Sequence, residues 1–136
     1  ESNDKGGVMK KIPFTSISQD WRTPRNVYEK LNLEFSFTDD PCPNYSLIDG
    51  LKRPWGNVVF VNPPFKEIHK WVEKAWAEHK NGKTIVLLIP SRTDTRWWHD
   101  YCMKASEIRF IKGRLKYEGA KYNAPFPSCV VVFQHK

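Results

Sequence analysis

The stretch 57-NVVFVNPPF-65 decides how this chain is read. Residues 57–61 are mostly β-branched or aromatic and read as a buried strand. The run then stops at Asn-Pro-Pro-Phe. A plain turn is satisfied by one proline and a glycine, so an amide, two prolines and a ring ask for a further reason. Proline lacks an N–H but keeps its carbonyl, and two in a row stiffen the backbone. Asn62 adds a side-chain carbonyl. Two acceptors converging on one point suit an NH2 group, and Phe65, just beyond, can lie against a planar heterocycle. The corner therefore suits an exocyclic amine on a nucleobase. The plainer alternative is a proline-rich strand-to-helix turn with Asn62 as a helix cap.

Outward from this corner, Ile68, Trp71, Val72, Ala75, Trp76 and His79 recur at three- and four-residue spacing, an amphipathic helix closed by Asn81-Gly82. The run 84-TIVLLI-89 is apolar on both faces, as in a central parallel strand. Strand 57–61, this helix and strand 84–89 form a βαβ unit, right-handed by the usual rule. Upstream, Thr23 reads as an N-cap with Pro24 at the first helical position, the helix ending near Asn32. A short strand, 35–38, leads into the acidic stretch 39-DDPCPN-44. Downstream, Asp94 is placed to cap a short helix through Tyr101. Strands at 107–112, 115–117 and 128–134 finish the chain. The expected fold is α/β: an open, mostly parallel sheet with an antiparallel C-terminal hairpin. Ligands of such sheets sit at the carboxyl ends of the strands. That rim would carry Asp39-Asp40, Asn62 to Phe65 and Pro90-Ser91-Arg92.

The chain's 136 residues suffice for one core. Residues 1–13 read as a polar leader, in which Met9 is an internal or original start, and 14–136 as a single domain. No signal-peptide core and no membrane-spanning run stands in the sequence, which leads to the expectation of a cytoplasmic protein. The three cysteines, Cys42, Cys102 and Cys129, are scattered, and the four histidines lack zinc spacing, so reduced thiols and no metal are expected. Lys and Arg number 22 against 15 Asp and Glu, a net +7 that favours a polyanionic partner. The segment 104-KASEIRFIKGRLKYEGAKY-122 interleaves cations with Phe110, Tyr117 and Tyr122, as nucleic-acid surfaces do; a solvated lysine-rich hairpin is the competing explanation.

The corner also suggests a reaction. Adenine's amine is a poor nucleophile because its lone pair is delocalised into the ring. Hydrogen bonds to Asn62 and the Pro63 carbonyl would favour a more tetrahedral nitrogen attacking a sulfonium methyl, with positioning supplying most of the rate. The base must first leave the stack.

Eight segments in order, 20-DWRTP-24, 35-FSFTDDPC-42, 49-DGL-51, 55-WGNVVFVNPPF-65, 71-WVEKA-75, 86-VLLIPSRTDTRWWHDY-101, 108-IRFIKGRLKY-117 and 124-APFPSCVVVF-133, resemble the phage-type DNA adenine-N6 methyltransferases, a small Dam-like family of phages and prophages. The resemblance runs from about Phe14 to Phe133. It implies a minimal Rossmann-like fold that uses S-adenosylmethionine, yields S-adenosylhomocysteine, and acts on DNA in the bacterial host. Asn62, Pro63, Pro64 and Phe65 match the amino-methyltransferase signature. Thr23 and Pro24 match the motif at the methionine end of the cofactor, and Asp40, Pro41 and Cys42 the first cofactor motif. Asp49 and Trp55 are weaker candidates near that pocket, each more readily structural. Arg92 and Arg96 are suggested phosphate contacts, Trp98 or its neighbour Trp97 a base-pocket residue, and Lys112, Arg114 and Lys116 further DNA contacts.

The chain departs from the pattern in one region. Prolines in 40-DPCPN-44 replace the glycine-rich cofactor loop, and only 45-YSLIDGLKRPW-55 fills the gap to the corner strand. The adenosine half of the pocket is thus expected to be open, or completed by a second protomer in a homodimer. Other readings of the same residues are an RNA adenine or cytosine-N4 methyltransferase, and a non-catalytic nucleic-acid-binding module. A glutamine side-chain methyltransferase shares the turn but not the basic hairpin.

Overall fold

A computed structural model describes residues 21–43 and 50–135. Helix α1 spans Arg25–Phe35, strand β1 Val58–Val61, helix α2 Ile68–Lys80, strand β2 Thr84–Pro90, helix α3 Arg96–Asp100, strand β3 Glu107–Phe110 and strand β4 Ser128–Phe133. Short 3-10 turns at Phe65–Glu67 and Cys102–Lys104 lead into α2 and follow α3. The four strands form one sheet in the order β1-β2-β4-β3. β1 and β2 are parallel, with Phe60 beside Val86, while β4 runs antiparallel to both β2 and β3.

The expectation of a mostly parallel sheet is therefore corrected to a mixed one. The apolar run 84–90 is central, as its two buried faces require, but one of its neighbours is β4 rather than another crossover strand. The expected strand 35–38 is also different. Phe35 closes α1, Ser36 takes the left-handed conformation with φ 56°, and the Asn32 side chain accepts the Phe37 N–H at 2.9 Å. What remains is a single parallel bridge, Asp39 to Val59, that lengthens the β1 edge. Residues 115–117 form no strand; Glu118 makes an isolated bridge to Arg22 instead. Thr95, not Asp94, caps α3, its hydroxyl accepting the Trp98 N–H at 3.2 Å.

Side chains alternate across a sheet, so the register sorts the helices into layers. Phe60, Val86 and Val132 share one face, and there Tyr28 of α1 packs edge-on against Phe60 at 5.2 Å. Phe133 faces the other way and meets Trp76 of α2 at 5.6 Å. Phe110, on that second face too, lies near Trp98 of α3. The result is three layers, α1 on one side and α2 and α3 on the other. β2 and β4 are buried throughout except for the first residue of β2. Cys42, Cys102 and Cys129 are all buried free thiols; burial pushes Cys102 up to about 12 and Cys129 to about 11. Among the described residues no helix is long and apolar enough to cross a membrane.

Because β1, β2 and the bridge at Asp39 all run the same way, their carboxyl ends share one rim. Asp40, Asn62 and Ser91 stand along it.

Candidate functional site

β1 delivers Asn62 to this rim at 4% exposure. Its amide nitrogen donates to the Trp21 carbonyl at 2.8 Å and to the Thr23 hydroxyl at 3.0 Å. Both amide hydrogens are thereby used, which fixes the side chain and leaves the carbonyl oxygen as its other polar atom. Pro63 is buried and Pro64 half-buried, extended at φ −65°, ψ 142°. Neither can donate, so the backbone here offers carbonyls alone. The turn at Phe65 then feeds α2.

Phe65 is buried rather than open. Its ring meets Phe126 edge-on at 5.0 Å, and Phe126 in turn meets Trp21 at 5.2 Å and Tyr117 at 5.9 Å. Tyr117 is held by a 2.9 Å hydrogen bond with Ser128, and burial pushes its phenol up to about 12. This aromatic packing supports the corner from below. Sequence reading did not find this packing: Tyr117, expected among the rings of a nucleic-acid surface, is instead 2% exposed and belongs to the core.

Beside the corner opens a cavity of about 360 Å³ lined by Arg22, Thr23, Arg25, Tyr28, Asp40, Pro43 and Glu118. Thr23 belongs to both places: it lines the cavity and its hydroxyl holds Asn62. Pro24 stands as the extended residue before α1 and is buried, as are Pro41 and Cys42; none of the three lines the cavity. The first N–H of α1, on Arg25, donates to the Glu118 carboxylate at 3.1 Å, so the helix start does receive an anion, here one of the chain's own.

The two neighbouring acids divide their work. Asp39 is bound by Arg53 at 2.8 and 2.9 Å and by the Gly56 N–H at 2.8 Å, and the Arg53 guanidinium holds its carboxyl below the usual range. It is a structural clamp. Asp40 faces the cavity, and burial raises its carboxyl to about 6, against the pull of the Cys42 N–H on its oxygen. Trp55, weighed as a pocket residue, is buried, donates to the Gly50 carbonyl at 2.7 Å and stacks on Trp71. Asp49 lies outside the described residues.

The nucleic-acid candidates separate as clearly. Arg92 and Arg96 are exposed after β2, and Lys112, Arg114 and Lys116 are exposed in the connection from β3 to β4. Gly113, with φ 78°, makes the turn there. Trp98 is corrected: it is 2% exposed and packs in the core, with no surface to offer DNA, while Trp97 is half-buried. Arg109, inside the basic segment, is committed to Glu34 and Glu107. Sequence reading missed Arg22, Arg25, Tyr28 and Glu118. Glu118 had a signal, the lone acid between 112-KGRLKY-117 and Lys121.

The family model described as DNA N-6-adenine-methyltransferase (Dam) matches residues 14–130. A protein of Escherichia phage T1 named DNA N-6-adenine-methyltransferase is 29% identical over 108 residues, covering 70% of this chain and 45% of the relative. The chain thus spans less than half the length of the curated relative it matches.

Proposed function

The chain belongs to the DNA N-6-adenine-methyltransferase (Dam) family, and from that premise we propose that it transfers a methyl group from S-adenosylmethionine to the N6 amine of an adenine in DNA. The observation that carries this reading is the Thr23 hydroxyl, which joins the acceptor corner at Asn62 to a charged cavity.

The donor set fits the cofactor's amino-acid end. The Arg22 and Arg25 guanidiniums suit its carboxylate, and Asp40 and Glu118 suit its ammonium group. When bound, S-adenosylmethionine supplies an electrophilic sulfonium methyl. The chain's own contribution is to present the amine. Asn62 Oδ1 and the Pro63 carbonyl accept hydrogen bonds from its two N–H groups and draw the nitrogen toward a tetrahedral shape, freeing the lone pair. One of those protons leaves to solvent afterwards, so no strong base is needed. Pro64 keeps the turn rigid, and Phe65 supports it from within the aromatic packing. Arg92, Arg96, Lys112, Arg114 and Lys116 hold the phosphates. The same reading takes the mixed sheet as a minimal Rossmann-like methyltransferase fold acting on DNA in the bacterial cytoplasm. A second protomer would wall the adenosine half.

The test is incubation with unmethylated plasmid and S-adenosylmethionine, followed by nucleoside mass spectrometry, alongside Asn62→Ala. N6-methyladenine is expected from the wild type, and at least a hundredfold less from the variant, on the scale of losing one preorganised hydrogen-bonding group. Full turnover by Asn62→Ala would sink the mechanism. No methylated base from a folded, DNA-binding protein would favour the non-catalytic binding module.

A further inference from the structure

A second cavity, of about 480 Å³, opens on the other side of Arg22. Trp21, Arg22, Lys121, Tyr122 and Asn123 are among the residues that line it, whereas Asn62, Pro63 and Phe65 do not. Arg22 therefore stands between the two cavities, lining both. Its guanidinium lies over Gly119, whose φ of 82° suits glycine and where any side chain would run into the Arg22 end group. Trp21 ties the second cavity to the corner, because its carbonyl holds the Asn62 amide.

Tyr122 sets the chemistry of this cavity. It is 71% exposed, more than any other Phe, Tyr or Trp among the described residues. Lys121 Nζ lies 5.5 Å from its ring centroid. The cavity thus offers a largely exposed aromatic ring, two cations and the Asn123 amide, which carries an acceptor and a donor side by side. An apolar partner would not call for the cations, and an anion alone would not call for the ring. A nucleotide uses all of them: base on the ring, phosphate on the cations, base edge on the amide.

We propose that this cavity takes a second, unstacked nucleobase of the DNA strand, the neighbour of the one presented to Asn62, and that Tyr122 stacks on it while Asn123 reads its edge. The proposal rests on the methyltransferase reading and extends it by assigning where sequence preference arises. It also gives the buried Phe65 an exposed counterpart: the ring that meets DNA is not the ring in the signature.

The test measures binding of a short fluorescein-labelled oligodeoxyadenylate by anisotropy, and of an abasic oligomer with the same number of phosphates, to wild type, Tyr122→Phe and Tyr122→Ala. The wild type is expected to prefer the base-bearing oligomer. Tyr122→Ala should lose roughly 5- to 150-fold of that affinity, the span of one stacked base, with little change toward the abasic oligomer. Tyr122→Phe should keep the preference, and S-adenosylhomocysteine binding by calorimetry should be equal in all three. A Tyr122→Ala variant that retains the wild-type preference overturns the second-base site alone. A wild type that binds neither oligomer nor duplex DNA overturns the methyltransferase reading and this inference with it.

Discussion

Asp40 shows how one side chain's surroundings set opposite demands. Its carboxyl is raised to about 6, first by burial and then by the charge of Asp39. The neutral acid suits the fold, so its stabilising contribution is complete below the ordinary carboxylate range and is lost as pH rises through about 6. The proposed ammonium contact needs the charged form. Cofactor affinity should therefore weaken as pH falls below about 6, approaching tenfold per pH unit, while the contribution of Asp40 itself to the fold is kept. Calorimetry with S-adenosylhomocysteine across that range checks this, and Asp40→Asn should bind weakly with the slope gone. At this scale the sequence was informative where chemistry narrows the choice of residue. Asn62, between a β-branched run and two prolines, was legible as the buried residue that ends β1 at the rim. Glu118 stood out as a lone acid in a basic segment, but its place at the start of α1 was not legible, because it depends on a backbone bridge to Arg22 ninety-six positions earlier in the chain.

Among the elements, α3 makes the sharpest case. Adjacent tryptophans on a helix cannot share a face, so one of Trp97 and Trp98 had to be core; spacing alone does not say which. The Thr95 cap sets the phase of the helix and turns Trp98 inward. Trp98→Ala should cost about 3–5 kcal/mol of stability by urea unfolding, and Trp97→Ala markedly less. Catalysis per folded molecule should survive both. The strands were legible as positions but not as partners. The run 84–90 has to be central because both its faces are apolar, yet nothing in it states the direction of the strand beside it. The strand at 35–38 failed for a local reason: the Asn32 side chain and the left-handed Ser36 extend and close α1 before a strand can begin.

For the molecule as a whole, the net charge of +7 becomes a surface only after internal pairing is subtracted. Arg109 serves Glu34 and Glu107, Arg53 serves Asp39, and Lys74 and Lys83 serve Glu78. Lys112, Arg114 and Lys116 remain exposed on one connection. Replacing all three by alanine should reduce the slope of log affinity for duplex DNA against log salt by about 2–3, near 0.9 for each phosphate no longer neutralised. A slope unchanged from wild type in a salt titration would move the DNA path elsewhere.

The sheet order also bears on how this chain is made. β4 lies between β2 and β3 although it follows both in sequence. While a ribosome is still adding residues before Ser128, the inner edges of β2 and β3 have no partner, and the strand with the longest buried apolar run waits with its backbone open. Only when 128–133 emerges can the two halves zip together, in one late step. A pause in translation just upstream would prolong the interval in which that edge can join a neighbouring chain instead.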